Sequence, residues 1–159
     1  MLISELYNKN VITLNDSDTI EHAVSVFISK KVNGLVVINE DKVVVGVLAL
    51  QDVAAATIPR QFRYNVQMAA AMYRKGFFSE SCAEIQNLSV KKIMRKNFTV
   101  VTLSDNIMAV TADFLKNDLY IVPVLEKGKL IGVVTRSEIK KALAYGMKLA
   151  GYTKKESVK

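Results

Sequence analysis

Two stretches of the chain carry polar groups in an order that can bind a phosphate. In residues 132–138, a glycine and two apolar residues precede Thr135, and the acid Glu138 follows three residues later. If a strand ends and a helix begins here, the hydroxyl and the first N–H groups of the helix can face an anion, and the carboxylate can accept hydrogen bonds from hydroxyl groups. Residues 46–52 repeat the glycine and the acid but have Ala49 in place of the threonine.

Helix capping accounts for the same residue types. Thr135 and Asp52 stand where a short polar side chain can accept hydrogen bonds from the unpaired N–H groups of a helix. Glu138 has one methylene more than an aspartate, which moves its carboxylate and weakens a two-point contact with a ligand. The sequence leaves open whether these residues bind a ligand or only begin a helix.

The sequence lacks a residue set typical of catalysis. The single histidine, His22, lies among the apolar positions of a predicted helix, without an acid or cysteine at ligand spacing. The single cysteine, Cys82, lies between Glu80 and Glu84, whose charges disfavour its thiolate. Because an enzyme needs a nucleophile with its base, a carboxylate pair or metal ligands, we expect no catalysis and no required cofactor.

An internal repeat organises the chain. A shift of 87 positions places Asn10 on Asn97 and Phe27 on Phe114, and after one residue is dropped the two glycine-to-acid stretches also align. The copies share their hydrophobic periodicity as well, which is harder to obtain by chance than scattered identities. A repeat of this kind fixes the architecture before any helix or strand is assigned.

Each copy predicts the element order β-α-β-β-α. Apolar residues recur at helical spacing from Ile20 and from Ile107, and Asp18 and Asp105 precede these helices as candidate caps. Short runs rich in β-branched residues, joined by polar turns, predict a hairpin after each helix. The predicted strands are 11–14, 35–38 and 43–48 in the first copy and 98–101, 121–125 and 130–134 in the second, with closing helices from Gln51 and Ser137. The fold class is therefore α/β (α+β), with two pseudo-symmetric copies packed into one module.

The two copies resemble the CBS repeat, named after cystathionine β-synthase, whose tandem pair is called a Bateman module. The most specific matches are residues 33–38 and 120–125, where the family commonly carries proline at the positions of Val36 and Pro123, and the two glycine-to-acid stretches. The resemblance covers nearly the whole chain apart from the segment between the copies and the tail. It implies a regulatory module that binds AMP, ADP, ATP or S-adenosylmethionine in the cleft between the repeats, signals to an unknown regulated protein and forms a homodimer.

The resemblance also implies ligand contacts, position by position. In the second copy, adenine would lie among Phe98, Tyr120, Ile121 and Pro123, and the ribose would meet Glu138. Phosphate would lie near Thr135 and Ser137, with Arg95 and Lys96 as further candidates. The first copy and the segments before each repeat add the remaining candidates, Asn10, Val11, Asn33, Gly34, Val36, Asp52 and Asn97. The second copy keeps the threonine and the proline and is predicted to be the better site, although Tyr120 and Phe98 could also be core residues.

The segment between the copies is longer than most connections inside a compact domain, so we expect it to be helical. After Pro59 an apolar stripe runs to Tyr73, and Gly76 can end the helix. Packing of this helix against its own domain is the favoured interpretation, while a partner surface or a role in ligand binding stays open. The predicted organisation is repeat 1 at 1–57, a helical connecting segment at 58–88, repeat 2 at 89–150 and a polar C-terminal tail at 151–159.

The chain is basic, with a net charge of +7 and a pI near 9.5. Excess positive charge attracts phosphates on nucleotides, nucleic acid or lipid, but scattered Lys and Arg pairs are more typical of a solvated surface. A basic nucleic-acid-binding protein and a ligand-free dimerisation scaffold are the alternative functions. Apolar runs are far shorter than the roughly 20 residues that cross a bilayer, and the N-terminus lacks a signal peptide's apolar stretch, so we expect no membrane and a cytoplasmic location.

Overall fold

The helices and strands follow the predicted repeat. The computed structural model describes residues 1–152. Its strands are β1 (Thr13–Asn15), β2 (Gly34–Ile38), β3 (Val44–Ala49), β4 (Ile121–Glu126) and β5 (Lys129–Thr135). Its helices are α1 (Ile20–Lys30), α2 (Leu50–Ala56), α3 (Val66–Ala71), α4 (Phe77–Ile85), α5 (Ile107–Asn117) and α6 (Arg136–Gly146). The mixed α/β class with two copies is confirmed; most of the predicted tail, residues 153–159, lies outside the described residues.

An antiparallel hairpin forms the centre of each repeat. β2 pairs with β3, with Val36 opposite Val47, and β4 pairs with β5, with Pro123 opposite Val133. Each hairpin has one register shift, at the same relative place in the two copies. The alternation and the polar turns of the sequence therefore predicted both hairpins correctly.

The strand before the helix differs between the copies. In the first, β1 adds to the hairpin to give a three-stranded sheet in the order β1-β2-β3. In the second, the strand predicted at 98–101 is reduced to one parallel bridge between Val101 and Val124. Val101 bonds to the carbonyl of Pro123 and the N–H of Leu125. Because Pro123 has no N–H, the next bond of a parallel ladder, to the carbonyl of Thr99, cannot form.

The predicted helix caps were wrong by one residue in both copies. Thr19 and Asn106 cap α1 and α5, and each side chain accepts a hydrogen bond from the backbone N–H three residues later, at 3.1 and 2.9 Å. Asp18 and Asp105 accept instead from the backbone N–H three residues earlier, at 2.8 and 2.6 Å. The aspartates therefore close the turn that leads into each helix.

The prediction of a single packed helix in the connecting segment was wrong. A short 3-10 turn, α3 and α4 replace it, because Asn65 starts α3 by capping it and Gly76, at a φ of 85°, precedes α4 instead of ending a helix. Val66 and Tyr73, both part of the predicted stripe, are 84% exposed. The stripe is therefore not core, and α4, with Ser81 buried, was not predicted.

The described chain forms two compact units, and their boundaries differ from those of the sequence repeats. One unit contains residues 14–96, and the other contains residues 1–13 together with 97–152. Each repeat is thus completed by the segment that precedes the other repeat in sequence. In the second unit, Ile3 is fully buried in a core with Phe114, Val122 and Val134. The boundaries 57, 88 and 150 of the sequence analysis stay a prediction.

Candidate functional site

The two strand-to-helix junctions share one local geometry. At the β3–α2 junction, the backbone N–H of Ala49 donates to the Asp52 carboxylate at 2.8 Å. At the β5–α6 junction, the backbone N–H of Thr135 donates to the Glu138 carboxylate at 2.9 Å. Each acid stands at the third position of its helix and reaches back to the residue before the helix. The capping role considered from the sequence is therefore present in both copies.

Glu138 is held by groups of its own helix. The Thr135 hydroxyl donates to it at 2.6 Å, and the Lys141 ammonium lies 3.4 Å away. The Glu138 side chain is only 1% exposed. A ribose contact at this acid, as the resemblance implies, would require the side chain to leave its buried position. The exposed Ser137, whose N–H donates to the Thr135 hydroxyl at 3.2 Å, stays on the surface.

Asp52 is more accessible and has a different partner. Its side chain is 15% exposed, and its Oδ1 accepts a hydrogen bond from Arg95 Nε at 2.8 Å. The resemblance described above assigned Arg95 and Lys96 to the second copy. The structure places both residues in the compact unit of the first copy.

Backbone pairing fixes Arg95 at this acid. Arg95 N donates to the carbonyl of Val47 at 2.8 Å, and Val47 N donates to the carbonyl of Arg95 at 3.1 Å. Gly46 permits this approach, because a Cβ there would lie 2.8 Å from the Arg95 carbonyl oxygen and 2.7 Å from Met94 Sδ. The first junction therefore carries a guanidinium from a distant part of the sequence.

The second copy has the same scaffold with a different side chain. Asn8 pairs with Val133 through two backbone bonds of 2.9 Å, and a Cβ on Gly132 would lie 2.6 Å from the Asn8 carbonyl oxygen. The Asn8 side chain, however, turns to its own segment and accepts from the N–H of Asn10 at 2.9 Å. A cation from this segment is therefore absent beside Glu138 in the described structure.

A cation and an aromatic ring stack beside the second junction. The Arg136 guanidinium lies 4.3 Å from the ring centroid of Tyr120, and it also pairs with Asp118 at 3.3 Å. The corresponding residues of the first copy, Asn33 and Leu50, cannot form such a pair. Sequence reasoning identified Tyr120 but missed Arg136, although a basic residue inside the glycine-to-acid stretch was the available signal.

The other predicted site residues fall into the two units. The unit of the second copy contains Asn10, Val11, Asn97, Phe98, Ile121 and Pro123, and the unit of the first copy contains Asn33, Gly34, Val36 and Lys96. Val36, Ile121 and Pro123 are buried, whereas Asn10, Asn33, Lys96 and Asn97 are exposed. Asn10 and Val11 follow the segment that pairs with β5, so the structure groups these first-copy candidates with the second copy. Their ligand contacts stay a prediction.

Shifted titration is found away from the junctions. The hydrogen bonds from Arg74 lower the pKa of Glu80, and the same contact raises the pKa of Arg74. Both groups are exposed and flank the start of α4. Among residues 1–152, acidic, histidine and cysteine side chains form no cluster of three or more that could hold a metal ion. In the same range, every helix is too short or too polar to cross a bilayer.

Comparison with known proteins finds relatives of this fold. The family model described as the CBS domain matches residues 3–58 and 90–145. An uncharacterised protein of Methanocaldococcus jannaschii is 23% identical over 90% of this chain and 91% of its own length. The structure of an acetoin utilization protein, AcuB, from Vibrio cholerae has a TM-score of 0.70 at 15% identity, covering 96% of this chain and 97% of that one. The structure of CBSX2 in complex with AMP has a TM-score of 0.66 at 23% identity, covering 92% and 98%.

Most of the described chain lies within the two matched repeats. The chain belongs to the CBS domain family and carries a tandem pair of CBS repeats. Such a pair is a regulatory type of domain.

Proposed function

We propose that this chain is a non-catalytic sensor module that binds an adenosine-containing ligand and passes its occupancy to a partner protein. The observation that carries the proposal is the repeated junction, in which a carboxylate is fixed beside the first N–H groups of a helix in both copies. Helix N-termini attract phosphate, and a carboxylate accepts hydrogen bonds from sugar hydroxyls. A relative of the same fold, CBSX2, has been solved in complex with AMP, which supports the choice of ligand.

We treat each junction as a half-site of its own for such a ligand. Asp52 keeps some exposure and has the length of acid that the family carries, so we assign it the ribose hydroxyls. Thr135 and Ser137 lie at the start of α6 and are assigned to phosphate. The stacked pair of Tyr120 and Arg136 offers a planar face, which suits the purine ring of a nucleotide, and a cation, which suits its phosphate group.

Thermal unfolding with AMP, ADP, ATP and S-adenosylmethionine, and with GTP as control, tests the proposal. A ligand at about 100 times its Kd stabilises by about 2.7 kcal/mol, which raises the midpoint of a protein of this size by roughly 5–10 °C. We expect that rise with adenosine ligands and not with GTP. Asp52→Ala or Thr135→Ala should remove it. No rise with any adenosine ligand, under conditions where the protein is folded, would overturn the proposal.

The same samples separate the sensor from a nucleic-acid-binding protein. Affinity for nucleic acid falls steeply with salt because counterions are released on binding, whereas discrimination between ATP and GTP depends on the base. Strong binding to an oligonucleotide at low salt, without discrimination between the nucleotides, would favour the alternative. A homodimer and an unknown regulated protein are expected partners and stay predictions.

A further inference from the structure

The connecting segment surrounds a cavity that the adenosine proposal does not use. Residues 57–59, α3 and the start of α4 enclose an apolar chamber of about 380 Å³. An adjoining polar chamber of about 420 Å³ shares residues 57–59, Met72 and Phe77 with it. Both volumes fall within the range of about 300–1,000 Å³ that is typical of small-molecule sites. The cavity lies entirely within the unit of residues 14–96.

The apolar chamber suits a large hydrocarbon group. Half-buried side chains from the 57–59 turn, from α3 and its end, and from α4 form its walls, and they include Ile58, Pro59, Ala69, Met72 and Phe77. A ligand that covers such surface removes it from water, which favours binding. The chamber therefore selects for an apolar group, and the ligand's polar groups must be recognised next door.

The polar chamber is lined by a cation without a counter-ion. Arg63 is half-buried, and its Nε donates to the carbonyl of Ile58 at 2.9 Å, which holds the guanidinium at the turn. Its two terminal amino groups have no partner among residues 1–152. The other arginine of this chamber, Arg74, is already compensated by two hydrogen bonds to Glu80, of 3.1 and 2.5 Å. A guanidinium with both terminal amino groups available suits a carboxylate, which it can bind through two hydrogen bonds.

Two groups of α4 complete the polar lining. Ser81 is only 9% exposed and lines both chambers, and its hydroxyl has no hydrogen-bond partner within the described part of the chain. A hydroxyl this buried and unpartnered marks a place for a polar atom of a ligand. Glu84, one turn later on the same helix face, lines the polar chamber and forms no ion pair with a described residue. Because Arg63 and Glu84 do not pair with each other, a ligand that satisfies both must carry an anion and a cation.

We propose that this cavity binds a free α-amino acid with a large apolar side chain. The carboxylate pairs with Arg63, the ammonium group pairs with Glu84, and the Ser81 hydroxyl adds a bond to the polar end of the ligand. The side chain occupies the apolar chamber. A fatty acid or a simple amine satisfies only one of the two charges. The site lies outside both strand-to-helix junctions, so the proposal does not depend on adenosine binding.

Isothermal titration calorimetry on the full chain tests the proposal with three probes of one shape. L-Phenylalanine carries both charges, 3-phenylpropionate lacks the ammonium group, and phenethylamine lacks the carboxylate. We expect L-phenylalanine to bind most tightly. Loss of the carboxylate should weaken binding at least about tenfold, because the pair with half-buried Arg63 is charged and poorly screened. Loss of the ammonium group should weaken it about two- to fivefold, because Glu84 is exposed.

Variants assign each charge to its residue. Arg63→Gln should weaken L-phenylalanine binding at least about tenfold without weakening that of phenethylamine. Glu84→Gln should reduce the affinity for L-phenylalanine to that for 3-phenylpropionate. The matched control is Arg60→Gln, which removes one positive charge from an exposed residue that lines neither chamber, so the affinities should be unchanged.

Several results would overturn the proposal. One is that neither L-phenylalanine nor L-leucine binds to the folded protein at millimolar concentration. A second is that 3-phenylpropionate binds as tightly as L-phenylalanine, which would indicate a site for carboxylates alone. A third is an equal loss in Arg63→Gln and Arg60→Gln. Thermal unfolding without ligand shows whether Arg63→Gln is folded. If it is not, Ser81→Ala decides, because loss of the hydroxyl should weaken L-phenylalanine binding about threefold or more, and an unchanged affinity would contradict the proposal.

Discussion

Position 46 has room for a hydrogen atom but not for a methyl group. A Cβ there would meet Met94 Sδ at 2.7 Å and the Arg95 carbonyl oxygen at 2.8 Å. The methionine side chain can move, but the Arg95 backbone is fixed, because both its N–H and its carbonyl are hydrogen-bonded to Val47. The glycine of the motif is thus explained by the close approach of a second segment, since its φ is not in the left-handed region.

Gly46→Ala should therefore destabilise the protein. We expect the free energy of unfolding to fall by about 1–3 kcal/mol, the usual cost of overpacking. The matched control is Gly146→Ala, where a Cβ would meet nothing within 4 Å and the helical backbone suits alanine, so stability should stay equal or rise by about 0.5–1 kcal/mol. Urea unfolding followed by circular dichroism measures both. Equal stabilities of the two variants would contradict the packing argument.

At the scale of the element, the same kind of N-cap is found on a helix that contributes to the core and on one that does not. Asn106 caps α5, which buries Val110 and Phe114, whereas Asn65 caps α3, which buries no residue. Asn106→Ala should lower the free energy of unfolding by about 1 kcal/mol. Asn65→Ala should leave it nearly unchanged, because α3 can unfold locally without exposing core. Urea unfolding compares the two, and an equal loss in both variants would show that α3 belongs to the cooperative core.

Elements were predictable from the sequence where local pattern decides them. Both hairpins and all four repeat helices follow from apolar periodicity and polar turns, and their observed ends differ by only a residue or so. The caps were misplaced because Asp18 and Thr19 are both good capping residues and only the backbone conformation selects between them. The pairing of Arg95 with Asp52 was not predictable, because it joins residues far apart in sequence. Of the candidate site, the sequence therefore identified the junctions and named Arg95, but it did not predict the pairing of Arg95 with Asp52.

At the scale of the whole molecule, one compact unit is the continuous stretch 14–96, and the other joins residues 1–13 to residues 97–152. Val90 and Met94, which complete the unit of residues 14–96, are 0% and 8% exposed. Ile3 and Leu6, which belong to the other unit, are 0% and 8% exposed. A cut at the apparent boundary between the repeats therefore leaves one unit without its last segment and leaves apolar residues of the other without their core.

A fragment of residues 14–96 should accordingly be better folded than a fragment of residues 1–88. The fragment of residues 1–88 lacks Val90 and Met94, whose burial contributes about 1.5–3 kcal/mol each. It also exposes Ile3 to water, because the core that buries Ile3 belongs to the other unit. We expect dispersed amide resonances and a cooperative thermal transition for 14–96, and neither for 1–88. A fragment of residues 14–88 is the control, because it separates the loss of the 89–96 segment from the presence of the N-terminal one. If 14–88 unfolds as cooperatively as 14–96, residues 89–96 are not part of the core of the 14–96 unit. These residues then contribute no measurable stability to that unit.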